Sequence, residues 1–203
     1  MPRPPEFDRD TVLEKAMKLF WSQGYTATSL PELLAAMGIA RSSFYASFGD
    51  KRRLYQECLA MFGERTIAPL RESTDECPTR VIRDFFEATL FDAPRHRVVQ
   101  GCLLVNTVLE MTGVDDELAG EAEASLGKVE ILFERSFQRA MQEGSFSSSL
   151  TPRALASYVM TINQGLRVQS RKNVSEVELR SVVETSLSLI GLSKPLAEQE
   201  VPG

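Results

Sequence analysis

Two short apolar segments separated by a glycine constrain this chain more than any other feature of its sequence. Ser29 is followed three residues later by Glu32, the spacing of a capping box, in which two side chains satisfy the N–H groups that open a helix. A helix is therefore predicted to begin near Leu30. Its apolar face, read at helical spacing, consists of Leu30, Leu33, Leu34 and Met37. Gly38 then supplies the left-handed residue at which a helix ends without a clash of Cβ.

A second short helix is predicted directly after the turn Gly38-Ile39-Ala40. Its apolar anchor consists of Phe44, Tyr45 and Phe48. The positions left to face outward are Arg41, Ser42, Ser43, Ala46 and Ser47. One arginine among small side chains suits a helix that lies in a major groove, because bulky exposed side chains would hold it away from the base edges. The two helices together predict a helix-turn-helix that reads DNA.

A third helix is predicted to begin at the run Asp50-Lys51-Arg52-Arg53. Asp50 is placed to cap its first turn, and Lys51 follows beside backbone N–H groups that can bind phosphate. A solvated basic face is the alternative for residues 51–53. In the reading helix itself, Arg41 is predicted to address a guanine, since that is the commonest specific contact of arginine in a major groove.

Net charge supports this location once it is divided along the chain. The 203 residues carry a formal charge of −5. Residues 1–55 contain eight Lys or Arg against six Asp or Glu, a balance of +2, whereas the remainder has fifteen against twenty-two, a balance of −7. Charges act strongly only within about 10 Å at 0.1 M salt, so a local basic patch can bind phosphates on an acidic protein.

The N-terminal quarter of the chain resembles the DNA-binding domain of the TetR/AcrR family of transcriptional regulators. The resemblance is carried by Ala16, Phe20, Gly24, Tyr25, Thr28, Ser29, Gly38, Phe44, Tyr45, Phe48, Lys51 and Leu54. Together, the motif and the resemblance predict a DNA-contacting set, which is Thr28, Ser29, Arg41, Ser42, Ser43, Tyr45 and Lys51. Double-stranded operator DNA is the partner that this family implies.

The rest of the chain has helical spacing only, so the predicted fold is all-α with about nine helices. A first helix buries Leu13, Ala16, Met17 and Phe20 and ends at Gly24. Further helices are predicted over residues 51–65 (ending before Pro69), 78–90, 102–111, 129–144, 152–168 and 175–190. Residues 1–55 are predicted to form a three-helix helix-turn-helix domain, and residues 56–203 a helical ligand-binding and dimerisation bundle.

Several polar residues interrupt apolar helices of the predicted bundle, and buried polar groups need partners. The family implies a small-molecule effector inside this bundle and a homodimer formed by its last two helices. The predicted ligand-binding residues are Phe86, Asn106, Glu110, Phe133, Phe137, Tyr158, Asn163 and Arg167. Ordinary core packing is the alternative for Phe133 and Phe137. The predicted dimer-interface residues are Leu179, Val182, Val183, Ser186 and Ile190, although the family resemblance leaves the division of these residues and Tyr158, Asn163 and Arg167 between pocket and interface open.

No cofactor or metal is predicted. Cys58, Cys77 and Cys102 form no CxxC pair, and His96 is the one histidine of the chain. Cys102 is predicted to be a buried small hydrophobe, since free cysteine is among the most buried residue types. A thiol that senses oxidants or electrophiles is the alternative, because Cys102 lies at a helix start.

Two classes of function are compatible with these patterns. The first is a ligand-responsive repressor that leaves a palindromic operator when a small molecule binds. The second is an all-α enzyme or small-molecule-binding protein with a vestigial helix-turn-helix; the sequence has no Gly-rich phosphate loop, HExxH or GxSxG to support it. With no signal-peptide pattern and no run of roughly 20 apolar residues, a cytoplasmic location is expected.

Overall fold

The computed structural model describes residues 7–72, 77–92, 99–172 and 174–192. Within these ranges the chain is all-α, as predicted, with nine α-helices. They are α1 (Arg9–Gln23), α2 (Leu30–Met37), α3 (Arg41–Phe48), α4 (Lys51–Glu72), α5 (Pro78–Phe86), α6 (Leu103–Met111), α7 (Asp116–Gln142), α8 (Pro152–Ser170) and α9 (Glu176–Leu189). A π-helical turn, Glu87–Phe91, continues α5. No helix among the described residues is long and apolar enough to span a membrane.

The local signals around α2 are confirmed. The backbone N–H of Ser29 donates to Oε2 of Glu32 at 2.8 Å, and the N–H of Glu32 donates back to Oγ of Ser29 at 3.4 Å. Gly38 has φ 71° and ψ 32°, and its N–H donates to the Leu34 carbonyl at 2.9 Å. Only glycine adopts this left-handed geometry at little cost, so α2 stops there and α3 begins three residues later.

Two helices are longer than their patterns predict. α4 does not end before Pro69 but runs on to Glu72. A proline inside a helix removes one backbone hydrogen bond, and here Ile67 and Leu70 on either side of it are buried, so packing holds the last turns. α7 begins at Asp116 rather than near Val129. Its first turns are rich in acidic residues, which made the apolar stripe visible only in the second half.

The described chain divides into two compact units. The first comprises Met1–Thr66 with Cys102–Leu126, and the second comprises Ile67–Gly101 with Gly127–Gly203. Two of the three boundaries fall inside α4 and α7, and the third lies just before α6. The first unit therefore contains α1, α2 and α3 of the predicted DNA-binding domain together with much of α4, α6 and the start of α7. The functional division after residue 55 stays a prediction.

Each unit has its own aromatic core. In the first, Tyr55 of α4 lies edge-on to Phe20 of α1, with ring centroids 4.7 Å apart, and both side chains are buried. In the second, Phe85 of α5 meets Phe133 of α7 edge-on at 5.2 Å, and α8 packs against α9. Aromatic pairs in such geometry add to the free energy gained from burial.

Candidate nucleic-acid interface

α3 presents a solvent-facing surface of the kind that enters a major groove. Phe44 and Phe48 are buried and fix one side of the helix to the core of the first unit. On the other side, Arg41, Ser42 and Ala46 are exposed and Ser43 is half-buried. Tyr45, predicted to share the apolar anchor, is instead 48% exposed, with its ring edge-on to that of Phe44 at 5.3 Å. We call the outward residues Arg41, Ser42, Ser43, Tyr45 and Ala46 the reading face.

Lys51 lies at the first turn of α4 in a partly enclosed position. Its Nζ is 4.3 Å from the centroid of the Tyr25 ring, a cation–π distance. Burial lowers the pKa of Lys51, while the carboxylates of Glu110 and Glu32 act in the opposite direction. Asp50 caps this turn as predicted, because its Oδ1 accepts the N–H of Arg53 at 2.8 Å.

The adjacent Arg52 is engaged within the protein. Its Nε donates to Oδ2 of Asp115 at 2.9 Å, and its Nη2 donates to Oε2 of Glu117 at 2.8 Å. The hydrogen bond to Asp115 raises the pKa of Arg52, and the same bond lowers the pKa of Asp115. Elsewhere in the basic run, Arg53 is exposed, with its Nε 4.0 Å from Oδ2 of Asp50, and Lys51 is half-buried.

Thr28 and Ser29 both shape the turn before α2. Thr28 is fully buried, and its hydroxyl donates to the Gly24 carbonyl at 2.6 Å. Its side chain does not reach the surface, which differs from the DNA contact expected from the sequence. The Ser29 hydroxyl is exposed and donates to Oε2 of Glu32 at 2.6 Å, so it serves first as the cap of α2.

The sequence interpretation did not anticipate the position of Glu110. Its Oε2 accepts the N–H of Tyr25 at 3.0 Å, and its Oε1 accepts the N–H of Thr26 at 2.7 Å. Glu110 thus fixes the turn between α1 and α2 and lies in the first unit, so it does not belong to the ligand site predicted for the bundle. The signal for it was a polar residue on an apolar helix, which shows that a partner is needed without showing which one.

Other predicted ligand-binding residues divide between the two units. Asn106 belongs to the first, and Phe86, Phe133, Phe137, Tyr158, Asn163 and Arg167 belong to the second. The three phenylalanines are buried. The buried Arg167 donates from Nη1 to the Thr89 carbonyl and from Nη2 to the Thr89 hydroxyl, both at 2.6 Å. Its Nε donates to Oδ1 of Asn163 at 3.4 Å. Ligand binding by this set stays a prediction.

The predicted dimer residues do not share one surface. Leu179, Val183 and Ser186 are buried within their own chain, so they pack in the second unit. Val182 is 46% exposed, and Leu189, seven residues further along the same face of α9, is 76% exposed. On α8, Val168 is exposed, and a Cβ at Gly165 would meet nothing within 4 Å. The residues predicted from the apolar spacing of α9 therefore belong to two different faces of the helix, one buried and one exposed.

Metal-ligand geometry is not found in the part of the chain that the structure describes: no group of three or more His, Cys, Asp or Glu side chains converges there. His96 lies outside the described residues. Cys58 and Cys102 are buried, and Cys77 is exposed. Burial raises the pKa of the Cys58 thiol well above its ordinary value.

The capped helix α2, the turn at Gly38 and the helix α3, which exposes Arg41 and buries Phe44 and Phe48, together form a helix-turn-helix of the kind that binds DNA. Comparison with known sequences agrees with this class. Residues 12–58 match the bacterial regulatory proteins of the tetR family, and residues 78–185 match the tetracyclin repressor-like, C-terminal domain. The chain belongs to the TetR family of transcriptional regulators.

Relatives of nearly full length share this organisation. The chain is 31% identical to the HTH-type transcriptional regulator YezE of Bacillus subtilis, covering 94% of this chain and 100% of the relative. It is 29% identical to the HTH-type transcriptional repressor ComR of Escherichia coli, covering 92% and 90%. Among solved structures, a cysteine mutant of the TetR family regulator CifR, complexed with 26bp double-strand operator DNA, superposes with a TM-score of 0.74. That structure is 31% identical and covers 92% of this chain and 98% of its own.

Proposed function

We propose that the protein is a ligand-responsive transcriptional repressor that binds a palindromic operator as a homodimer and is released by a small molecule. The observation that carries this proposal is the reading face of α3, which is exposed while Phe44 and Phe48 behind it are buried. The relatives ComR and DhaR are described as repressors, and CifR is described in complex with operator DNA. Operator DNA as the binding partner also favours a cytoplasmic location.

Individual contacts follow from exposure and chemistry. Arg41, at the first turn of α3, has the reach and the forked donors to address O6 and N7 of a guanine. Ser42, Ser43 and Tyr45 offer hydroxyls to the sugar-phosphate backbone, and Lys51 at the start of α4 adds a positive charge. Ser29 contributes its position at the N-terminus of α2, where backbone N–H groups attract phosphate.

Two copies are needed because a palindromic operator presents two half-sites related by a twofold axis. The exposed apolar residues of α8 and α9 are the surface best suited to this contact. Val168, Val182 and Leu189 are exposed, and Gly165 leaves room for close approach of a partner helix. This surface replaces Leu179, Val183 and Ser186, which are occupied in the core of their own chain.

An effector acts only if it binds one conformation of the dimer more tightly than the other. The match of residues 78–185 to a tetracyclin repressor-like domain supports an effector site there. Arg167 and Asn163 are buried and bonded to each other, Arg167 is also bonded to Thr89, and Phe86, Phe133 and Phe137 are buried in the same unit. Buried aromatic side chains together with a few polar groups would suit a small, largely apolar compound with one polar group. The long helix α4, which begins at Lys51, would transmit the conformational change caused by the effector to the DNA-binding domain.

The competing class, an enzyme, has no support from a catalytic motif, and the relatives are named as regulators. The test is a footprint on the DNA upstream of the protein's own gene. Twofold-symmetric protection, lost with a double Arg41→Ala and Lys51→Ala variant, is the expected result. No retarded complex on that DNA, or protection without symmetry, would contradict the proposal.

A further inference from the structure

The turn between α1 and α2 is held by a single carboxylate that comes from α6. The N–H groups of Tyr25 and Thr26 point to the two oxygens of Glu110, at 3.0 and 2.7 Å. Both donors lie beyond the C-terminal end of α1, where helix hydrogen bonding has stopped. Hydrogen bonds to an ionised acceptor are roughly twice as strong as neutral ones. Glu110 therefore supplies two charge-assisted bonds to a segment that has no regular structure of its own.

The backbone at this point is shaped to admit the carboxylate. Gly24 has φ 88°, and a Cβ built on it would lie 2.9 Å from Oε2 of Glu110. A side chain at this position would thus displace the carboxylate, in addition to straining the backbone. In the sequence Gly24-Tyr25, the glycine has no side chain to block the carboxylate, and the tyrosine that follows it supplies the N–H donor.

What this turn positions is part of the proposed DNA-binding surface. The ring of Tyr25 lies under Nζ of Lys51 at 4.3 Å and against the ring of Tyr55 at 4.8 Å. Two residues after Thr26, the Thr28 hydroxyl bonds back to the Gly24 carbonyl, and Ser29 then caps α2. A shift of the turn would therefore move the ammonium of Lys51, which is proposed to bind phosphate, and the first turn of α2 together.

A contact with α4 helps to keep α6 in place for this role. The hydroxyl of Thr107 on α6 lies 2.6 Å from that of Tyr55 on α4, and both are buried. This bond reaches α4, whereas Glu110 reaches the turn itself. All of the groups belong to the first unit.

We propose that Glu110 is a positioning residue for operator binding: its carboxylate fixes the α1–α2 turn, and with it Lys51 and the start of α2, in the geometry that binds DNA. The inference rests on the proposed function. It explains why a negative charge lies close to a DNA-binding lysine, where electrostatics alone would disfavour it. If the bound geometry is populated only in part of the molecules, the apparent dissociation constant rises by the inverse of that fraction.

The test compares Glu110→Ala and Glu110→Gln with a matched control, Glu123→Gln, which removes the same charge from an exposed position on α7. Affinity is measured for the operator and for unrelated duplex DNA, well below each unfolding midpoint. Amide hydrogen exchange at Tyr25 and Thr26 reports the turn directly. We expect Glu110→Ala to weaken operator binding about tenfold, in line with the loss of hydrogen bonds to a charged group. Exchange of both amides should accelerate, glutamine should give a smaller effect, and Glu123→Gln should change neither.

The sign of the change makes this test sharp. Removal of a negative charge near Lys51 should by itself strengthen binding to the phosphate backbone. Operator affinity in Glu110→Ala that is unchanged or higher, with accelerated exchange at the two amides, would overturn the proposal, as would unchanged exchange. If the unaltered chain binds no operator, the proposed function fails instead, and this inference fails with it.

Discussion

Arg52 and Asp115, 63 residues apart in the sequence, form a two-bond ion pair in which Nε lies 2.9 Å from Oδ2 and Nη2 lies 3.2 Å from Oδ1. Oδ1 of Asp115 also accepts the N–H of Leu118 at 3.1 Å, so one carboxylate caps α7 and holds α4. The basic run at the start of α4 therefore has two roles. Arg52 supports the fold of the first unit, while Lys51 beside it is proposed to bind DNA.

This ion pair predicts an acid-sensitive contribution to stability. The bond from Arg52 lowers the pKa of Asp115 below its ordinary 3.8. A carboxylate with a lowered native pKa stabilises the fold above the ordinary value, and that contribution is lost as pH falls through the native one. Asp115→Asn should thus lower the unfolding midpoint at neutral pH, and its difference from the unaltered protein should shrink below pH 3.8.

Thermal unfolding followed by circular dichroism over a pH series measures this difference. Asp84→Asn, an exposed position on α5, is the control and should show little effect at any pH. A difference between Asp115→Asn and the unaltered protein that stays constant down to acid pH would contradict the role given to the ion pair.

Base readout should be lost with Arg41→Ala. Arg41 is exposed at the start of α3, so its truncation leaves the fold intact and removes a forked donor from the groove. We expect a cost of about 1–3 kcal/mol in operator affinity and relaxed preference at one base pair. Binding to a library of operator variants measures this, with Arg153→Ala on the exposed surface of α8 as the control. Uniform weakening across all sequences would mean that Arg41 contacts phosphate only.

Lys51→Ala should weaken DNA binding without changing base preference. Because one phosphate contact is lost, the slope of log affinity against log salt should fall by about one unit. Tyr45→Phe removes a hydroxyl and no charge, so affinity should fall while the slope is kept. Titrations at several salt concentrations separate the two, and Lys128→Ala, exposed on α7, is the control. An unchanged slope in Lys51→Ala would remove Lys51 from the interface.

Dimerisation should depend on the exposed residues Val182 and Val168, whereas the stability of the fold should depend on the buried Leu179. A charge introduced by Val182→Glu or Val168→Glu lies on an exposed surface, so each variant should fold but dissociate to monomers and lose cooperative operator binding. Leu179→Ala empties a buried site and should cost about 2–5 kcal/mol of stability. Sedimentation velocity and chemical unfolding give the two measurements. Dimers of normal affinity in both glutamate variants would place the interface elsewhere.

Thiol reagents should modify Cys77 first. It is the exposed cysteine, whereas Cys58 and Cys102 are buried, and burial raises the pKa of the Cys58 thiol and so suppresses its thiolate. Cys102→Ser should keep operator binding and its response to oxidants unchanged. Mass spectrometry after timed labelling gives the order of reaction. If Cys102 reacts fastest and its modification abolishes operator binding, an effect absent from Cys102→Ser, then the protein senses oxidants or electrophiles.

Local interactions are what the sequence predicted best. The capping box of Ser29 and Glu32 and the left-handed Gly38 join residues three or four apart, and their spacing alone determines the hydrogen bonds. The second capping box, at Ser175 and Glu178, has the same spacing, although it was not singled out from the sequence. Where the helix period was strong, as in α1 and α8, the bounds agreed to within a few residues.

The sequence by itself thus determined most of the helices, the turn that ends α2 and the outward position of Arg41, Ser42 and Ala46 on α3, because these depend on neighbours along the chain. Only the tertiary structure decided where polar and apolar side chains find partners. Glu110 bonds to an N–H 85 residues away, and no periodicity could pair them. Likewise, an apolar stripe on α9 indicates that this face of the helix is covered by other apolar residues. Only packing decides whether these come from its own chain or from a second copy, and packing buries Val183 while it leaves Val182 exposed.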